Sequence, residues 1–143
     1  MRYLSILSAF AAETWVMQPE KLSAIADDAV PPGAVVVTVD DDITFHPDWL
    51  ATLLWHVDAH PEEAVAMAGW SARDLLYRGV FERADGPCDV VEGFAGVAYR
   101  KWFFGPDVLD PPADVKWVDD VWISSYLHRA GVGRRVVPGE RKM

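Results

Sequence analysis

The 143 residues, 51% hydrophobic and 24% charged, describe one globular domain (1–143) rather than a disordered or fibrous chain. A net charge of −9 argues against nucleic acid or an anionic membrane as the main partner. The single cysteine, Cys88, excludes an internal disulfide and a cysteine-based zinc site, and no apolar stretch reaches the length of a transmembrane span.

Residues 1–18 are apolar and read equally well as strand or helix. The first thirteen superficially resemble a secretory signal, but with one Arg the positive region is thin, and a cytoplasmic enzyme is the expectation. Residues 19–29 predict a helix that opens with Pro19 and Glu20 and carries Leu22, Ile25 and Ala26 on one face. After the turn Pro31-Pro32-Gly33, the run Val35-Val36-Val37-Thr38-Val39 predicts a strand buried on both faces. It ends in three consecutive aspartates, Asp40-Asp41-Asp42. Such a strand delivers the residues after it to the carboxyl edge of the sheet, where open α/β folds bind ligands. Adjacent carboxylates repel one another, and a hard divalent cation that bridges to substrate phosphates is the simplest compensation. The plainer reading is a charged turn with an Asp helix cap.

Pro47 suits the first position of a helix, along which Trp49, Leu50, Leu53, Leu54 and Val57 recur at helical spacing until His60-Pro61. Residues 64–70 predict a second strand, and Cys88 to Val91 a third. Between them lies a mixed excursion with a weak strand near Tyr77 to Phe81. Glu92-Gly93-Phe94-Ala95-Gly96 comes next, whose two glycines permit close approach to a ligand or positive φ, or simply make a turn. Residues 97–104 are apolar and aromatic, and Gly105 to Pro112 is a loop. A last helix opens at Asp119-Asp120, keeps Val121, Trp122, Ile123, Tyr126 and Leu127 inward and stops at Gly131, before a strand from Arg135 to Val137. One Asp suffices to cap that helix, so a second carboxylate held ionised by the helix end is a candidate general base. Trp49 and Trp122 read as core, Trp70, Trp102 and Trp117 as better candidates for a pocket wall. His46 reads as a cap or a neighbour of the aspartates. His128 suits the negative end of its helix. The alternation of elements predicts an α/β domain with one core.

In order, VVVTVDDDITFHPDWLATLL, VVEGFAGVAYR and VDDVWISSYLHRAGV resemble an inverting glycosyltransferase of the family 2 type, over roughly residues 19 to 138. The resemblance implies an α/β, GT-A-like mixed sheet flanked by helices. It implies that Asp40 and Asp42 form a DxD motif holding Mn2+ or Mg2+, and that Asp40, Asp41 and Lys21 lie on the side of a nucleotide-sugar donor. Glu92, Gly93, Phe94 and Gly96 would then belong to the side of the acceptor, a carbohydrate or another hydroxyl compound. Asp120 would be the base and Asp119 its flanking residue. Only 39 residues precede Asp40, so the nucleotide-binding unit is expected to be shortened; if Lys21-Leu22 matches the helix ahead of the DxD strand, its first strand is missing, donor binding is weak, completed by a partner chain or absent, and the chain is a truncated or inactive member.

Two rival readings remain. Asp40-Asp41-Asp42-Ile43-Thr44 matches the DxDxT pattern of haloacid-dehalogenase-type phosphatases, with Asp40 as nucleophile and Asp42 as acid. Ser71 with Lys101 or Lys116 would bind phosphate there, and Asp119-Asp120 magnesium. The other reading is a non-catalytic module that binds carbohydrate or protein through its acidic edge and aromatics.

Overall fold

A computed structural model describes residues 4–6, 14–17, 21–40, 42–79 and 84–139. The apolar N-terminal segment supplies two strands, β1 (Leu4–Ile6) and β2 (Thr14–Met17). Helix α1 (Lys21–Ala26) then crosses to β3 (Val35–Thr38), which pairs parallel to β2 with Thr14 beside Val35 and Met17 beside Thr38. The gap expected ahead of the aspartates is thus at least partly filled by a strand–helix–strand unit. The chain continues through α2 (Trp49–Ala59), β4 (Glu63–Ala66), β5 (Gly69–Trp70), α3 (Ala72–Arg78), β6 (Gly86–Pro87) and β7 (Val90–Val91). It ends with β8 (Val97–Arg100), α4 (Asp119–Arg129) and β9 (Gly133–Val136).

Seven strands form a mixed sheet in the order β1-β2-β3-β8-β4-β9-β6. Strands β2, β3, β4 and β9 run one way, and β8 runs against its neighbours β3 and β4. All four residues of β3 are buried, as the continuous β-branched run requires. The core is divided by the sheet into two clusters rather than gathered into one. Val35, Val37 and Val39 pack with Trp49, Leu53, Leu54 and Val57 of α2. On the other face Val36 and Tyr99 pack with Ile25 of α1 and Trp122, Ile123 and Leu127 of α4.

Three local expectations are corrected. The helix after the aspartates starts at Trp49, two residues beyond Pro47, because Trp49 N–H donates to His46 O at 2.9 Å and Asp48 N–H to His46 Nδ1 at 3.2 Å. His46 thus holds the turn ahead of the helix, and Asp48 stands at the N-cap position. The single strand expected over 64–70 breaks in two, since Gly69 leaves the main sheet to pair with Val91. Any Cβ at Gly69 would stand 2.6 Å from Val90 O, so that close approach needs glycine. Of the weak strand expected over Tyr77 to Phe81, residues 80 and 81 lie outside the described residues, and Tyr77 and Arg78 belong to helix α3, which ends at Gly79 with φ of 63°. Its Leu76 and Tyr77 are exposed, so local propensity rather than burial forms it.

His56 in α2 is half-buried, with Nδ1 lacking a partner among the described residues. Burial, then the charge of His60, holds its pKa below 6.5, Arg135 adding to the shift and Asp85 opposing it. Below about pH 6.5 the unfolded chain therefore takes up a proton that the folded chain resists, and stability falls with pH. Urea unfolding between pH 7.5 and 5.5 should show this loss, and His56→Gln should reduce it.

Candidate active site

The register of the sheet decides where the motifs meet. Thr38 pairs with Val97, so Asp40 leaves β3 at the edge where Gly96 enters β8. Ala66 pairs with the same Val97 and with Val136, which puts the ends of β4 and β9 there too. This is the carboxyl edge of four strands, the position open α/β sheets use for ligands. Asp40 is half-buried and Asp42 exposed. Asp41 and the Lys21 side chain lie outside the described residues.

Glu92 to Gly96 is shaped by protein contacts. Residues Gly93–Ala95 form a single 3₁₀ turn. Gly96 comes after it with φ of 95°, and a Cβ there would lie 2.2 Å from the Trp49 ring. Trp49 Nε1–H donates to Ala95 O at 2.8 Å, so one buried indole fixes the turn against the helix beyond the aspartates. The positive φ of Gly96 and its close packing on Trp49 each require glycine there. Gly96→Ala should cost about 2–5 kcal/mol, combining overpacking with a disfavoured backbone. A thermal melt should register this as a fall in Tm on the order of 10 °C. Phe94 is half-buried against the α2 cluster, and Glu92 N–H donates to Ala68 O at 2.9 Å.

Helix α4 holds this segment from the other side. Gly93 N–H donates to Asp120 Oδ2 at 3.0 Å, and Val91 N–H donates to the buried Ser124 Oγ at 3.1 Å. Asp120 and Ser124 are four apart and share a helix face, matching two N–H groups two residues apart on an extended chain. Asp119 Oδ1 accepts the Asp120 N–H at 2.9 Å, so Asp119 satisfies one of the unpaired donors at the helix start. The two acidic residues thus differ in reach: Asp119 bonds within the first turn, where Val118 holds the N-cap position, and Asp120 reaches the Gly93 turn.

Other candidates fall elsewhere. Lys101 sits at the opposite edge, its N–H donating to Ala34 O and its Nζ to Ile25 O. With Trp102 and Phe104 it lines a cavity of about 390 Å³ there. Ser71 comes directly after β5, in the separate two-stranded sheet. Asp119 and Asp120 open a helix instead of ending a strand. The phosphatase pattern is therefore not assembled through Lys101. Trp49 and Trp122 are core, as expected, whereas Trp117 is 83% exposed in the loop before Asp119.

Among the described residues no group of three or more His, Cys, Asp or Glu side chains is placed to hold a metal ion. Asp40 and Asp42 offer the carboxylate oxygens that Mg2+ and Mn2+ prefer as ligands. No helix among the described residues is long and apolar enough to cross a membrane. Compared with models of known protein families and with curated proteins, the chain gives no match to either.

Proposed function

We propose that the chain is a glycosyltransferase of the inverting, GT-A-like kind, taking a sugar from a nucleoside-diphosphate donor to an acceptor hydroxyl. One observation carries the reading: the Gly93–Asp120 hydrogen bond of 3.0 Å joins the turn to α4 at the edge where the strand ending in Asp40 emerges. Three sequence elements separated by some eighty residues thus share one neighbourhood, with carboxylates contributed by two different elements.

The division of labour is set by position. Asp42, exposed beyond the strand end, and Asp40 would hold the cation and with it the donor diphosphate. When bound, the cation supplies Lewis-acid stabilisation of the charge that develops on the departing phosphate. Asp120 lies across the turn, in contact with the Gly93 backbone, and accepts the proton of the incoming hydroxyl. The Gly93–Ala95 turn, clamped by Trp49 and Asp120, fixes the wall between them. The new bond forms from the acceptor oxygen to the anomeric carbon as the bond to phosphate breaks, so the configuration inverts in one displacement. No side-chain nucleophile enters this scheme.

The test is a panel of nucleotide sugars offered with Mn2+ and a mixture of sugar acceptors. Nucleoside diphosphate released only with both metal and acceptor, in a product of inverted configuration, supports the reading. Phosphate released from a generic aryl phosphate, and lost in Asp40→Asn, would favour the phosphatase instead.

A further inference from the structure

Beneath the start of α4 the sheet buries two hydroxyls that the packing does not explain. Thr38 is 0% and Tyr99 1% exposed, yet neither Thr38 Oγ1 nor Tyr99 OH has a well-formed hydrogen bond among the described residues. Tyr99 pairs with Val36 across β3 and β8, so its ring and Thr38 share a sheet face and are diagonal neighbours. This is the face that α4 covers, where Trp122 and Ile123 belong to the same cluster as Tyr99. Burial pushes the Tyr99 phenol well above its ordinary range, and the charge of Asp120 pushes it further. A weak hydrogen-bonding contact with the Thr38 hydroxyl opposes that shift, and of two hydroxyls bonded to each other one proton is still left without an acceptor.

A buried hydroxyl without a partner costs roughly 1–3 kcal/mol, so two side by side call for an acceptor they share. Valine and phenylalanine, nearly isosteric with these residues, would have filled the same space without that cost. Asp120, whose charge reaches the Tyr99 phenol, is turned toward the Gly93 backbone at the sheet edge.

We infer that Thr38 and Tyr99 are positioning residues for Asp120, their hydroxyls joined to its carboxylate through a buried water under the N-terminus of α4. Such a water needs two to four polar partners, and the two hydroxyls with the carboxylate supply three. Held from below by this chain and from the side by Gly93 N–H, Asp120 has one orientation in which to meet an acceptor hydroxyl. The role assigned to the orientation rests on Asp120 being the base; the network itself does not.

The test uses the full chain labelled with 13C in its tyrosine rings. Asp120→Asn, which retains an oxygen for Gly93, and Thr38→Val should each move the Tyr99 Cζ resonance, and the Tyr99 hydroxyl proton should show a cross-peak to water. Tyr99→Phe should lower the urea midpoint, because removing a bonded hydroxyl costs stability whereas removing an orphan does not. A Tyr99 resonance indifferent to either substitution, no water cross-peak, or a Tyr99→Phe chain at least as stable as the parent overturns the inference. With a donor in hand, Tyr99→Phe should also lower kcat about tenfold with the acceptor KM unchanged. If no donor is turned over by the parent chain, the transferase reading fails while the resonance and stability measurements still decide the network.

Discussion

Replacing Asp120 with Asn is expected to slow sugar transfer by roughly 100- to 10,000-fold while leaving the fold and donor binding in place. The amide oxygen of Asn still accepts the Gly93 N–H that Asp120 Oδ2 holds at 3.0 Å, so the turn keeps its clamp. The substitution removes a group able to take a proton from the acceptor. Asp120→Ala would mix two effects, because it also strands the N–H of the buried Gly93 and costs about 1–3 kcal/mol of stability. The comparison of kcat with the urea midpoint for the two variants separates base from clamp. An Asn variant with the parent rate would mean that Asp120 is only a clamp.

The second large effect concerns Asp42. In the parent chain, a nucleoside diphosphate with Mn2+ at a hundred times its Kd should add about 2.7 kcal/mol to stability. For a domain of this length that corresponds to a rise in Tm of several degrees. Asp42→Ala should abolish the rise. Asp42 is exposed, so the substitution itself should change stability by no more than about 0.5 kcal/mol, and the lost shift reports ligand binding alone. Asp40 is a poorer probe, being half-buried at the strand end with interactions of its own. A full shift in Asp42→Ala would remove the aspartates from the donor site.

The strand ahead of the aspartates, the helix from Trp49 and the helix from Asp119 were legible because each carries strong local signals: a β-branched run, an apolar stripe at helical spacing, and acidic residues at a helix start with glycine at its end. The split of 64–70 into β4 and β5 was not, because the apolar run is continuous and the break is imposed by the close contact of Gly69 with Val90. Strands β1 and β2 were equally hidden, since an apolar stretch carries no period that separates strand from helix. At the site, the acidic pair could be named from its place at the helix start and Asp120 only through the family resemblance, but its bond to Gly93 joins residues 27 apart in the chain and depends on sheet register. Ser124, four residues after Asp120, offered a signal in its helical spacing that only becomes meaningful beside Val91. Trp49 read as core and is core, yet its indole N–H also holds Ala95 O, a second role that hydrophobic patterning cannot express. Thr38 read as a strand former and Tyr99 as part of an apolar, aromatic run, and only their buried hydroxyls set them apart.

The most direct measurement is a calorimetric titration of the chain with UDP and with GDP, each with and without Mn2+. Saturable binding of at least one diphosphate with Mn2+, weakened at least tenfold when the metal is removed, is the predicted result. Failure of both to bind with the metal present, or binding of equal strength without it, would contradict the assignment of Asp40 and Asp42 to a cation-held donor.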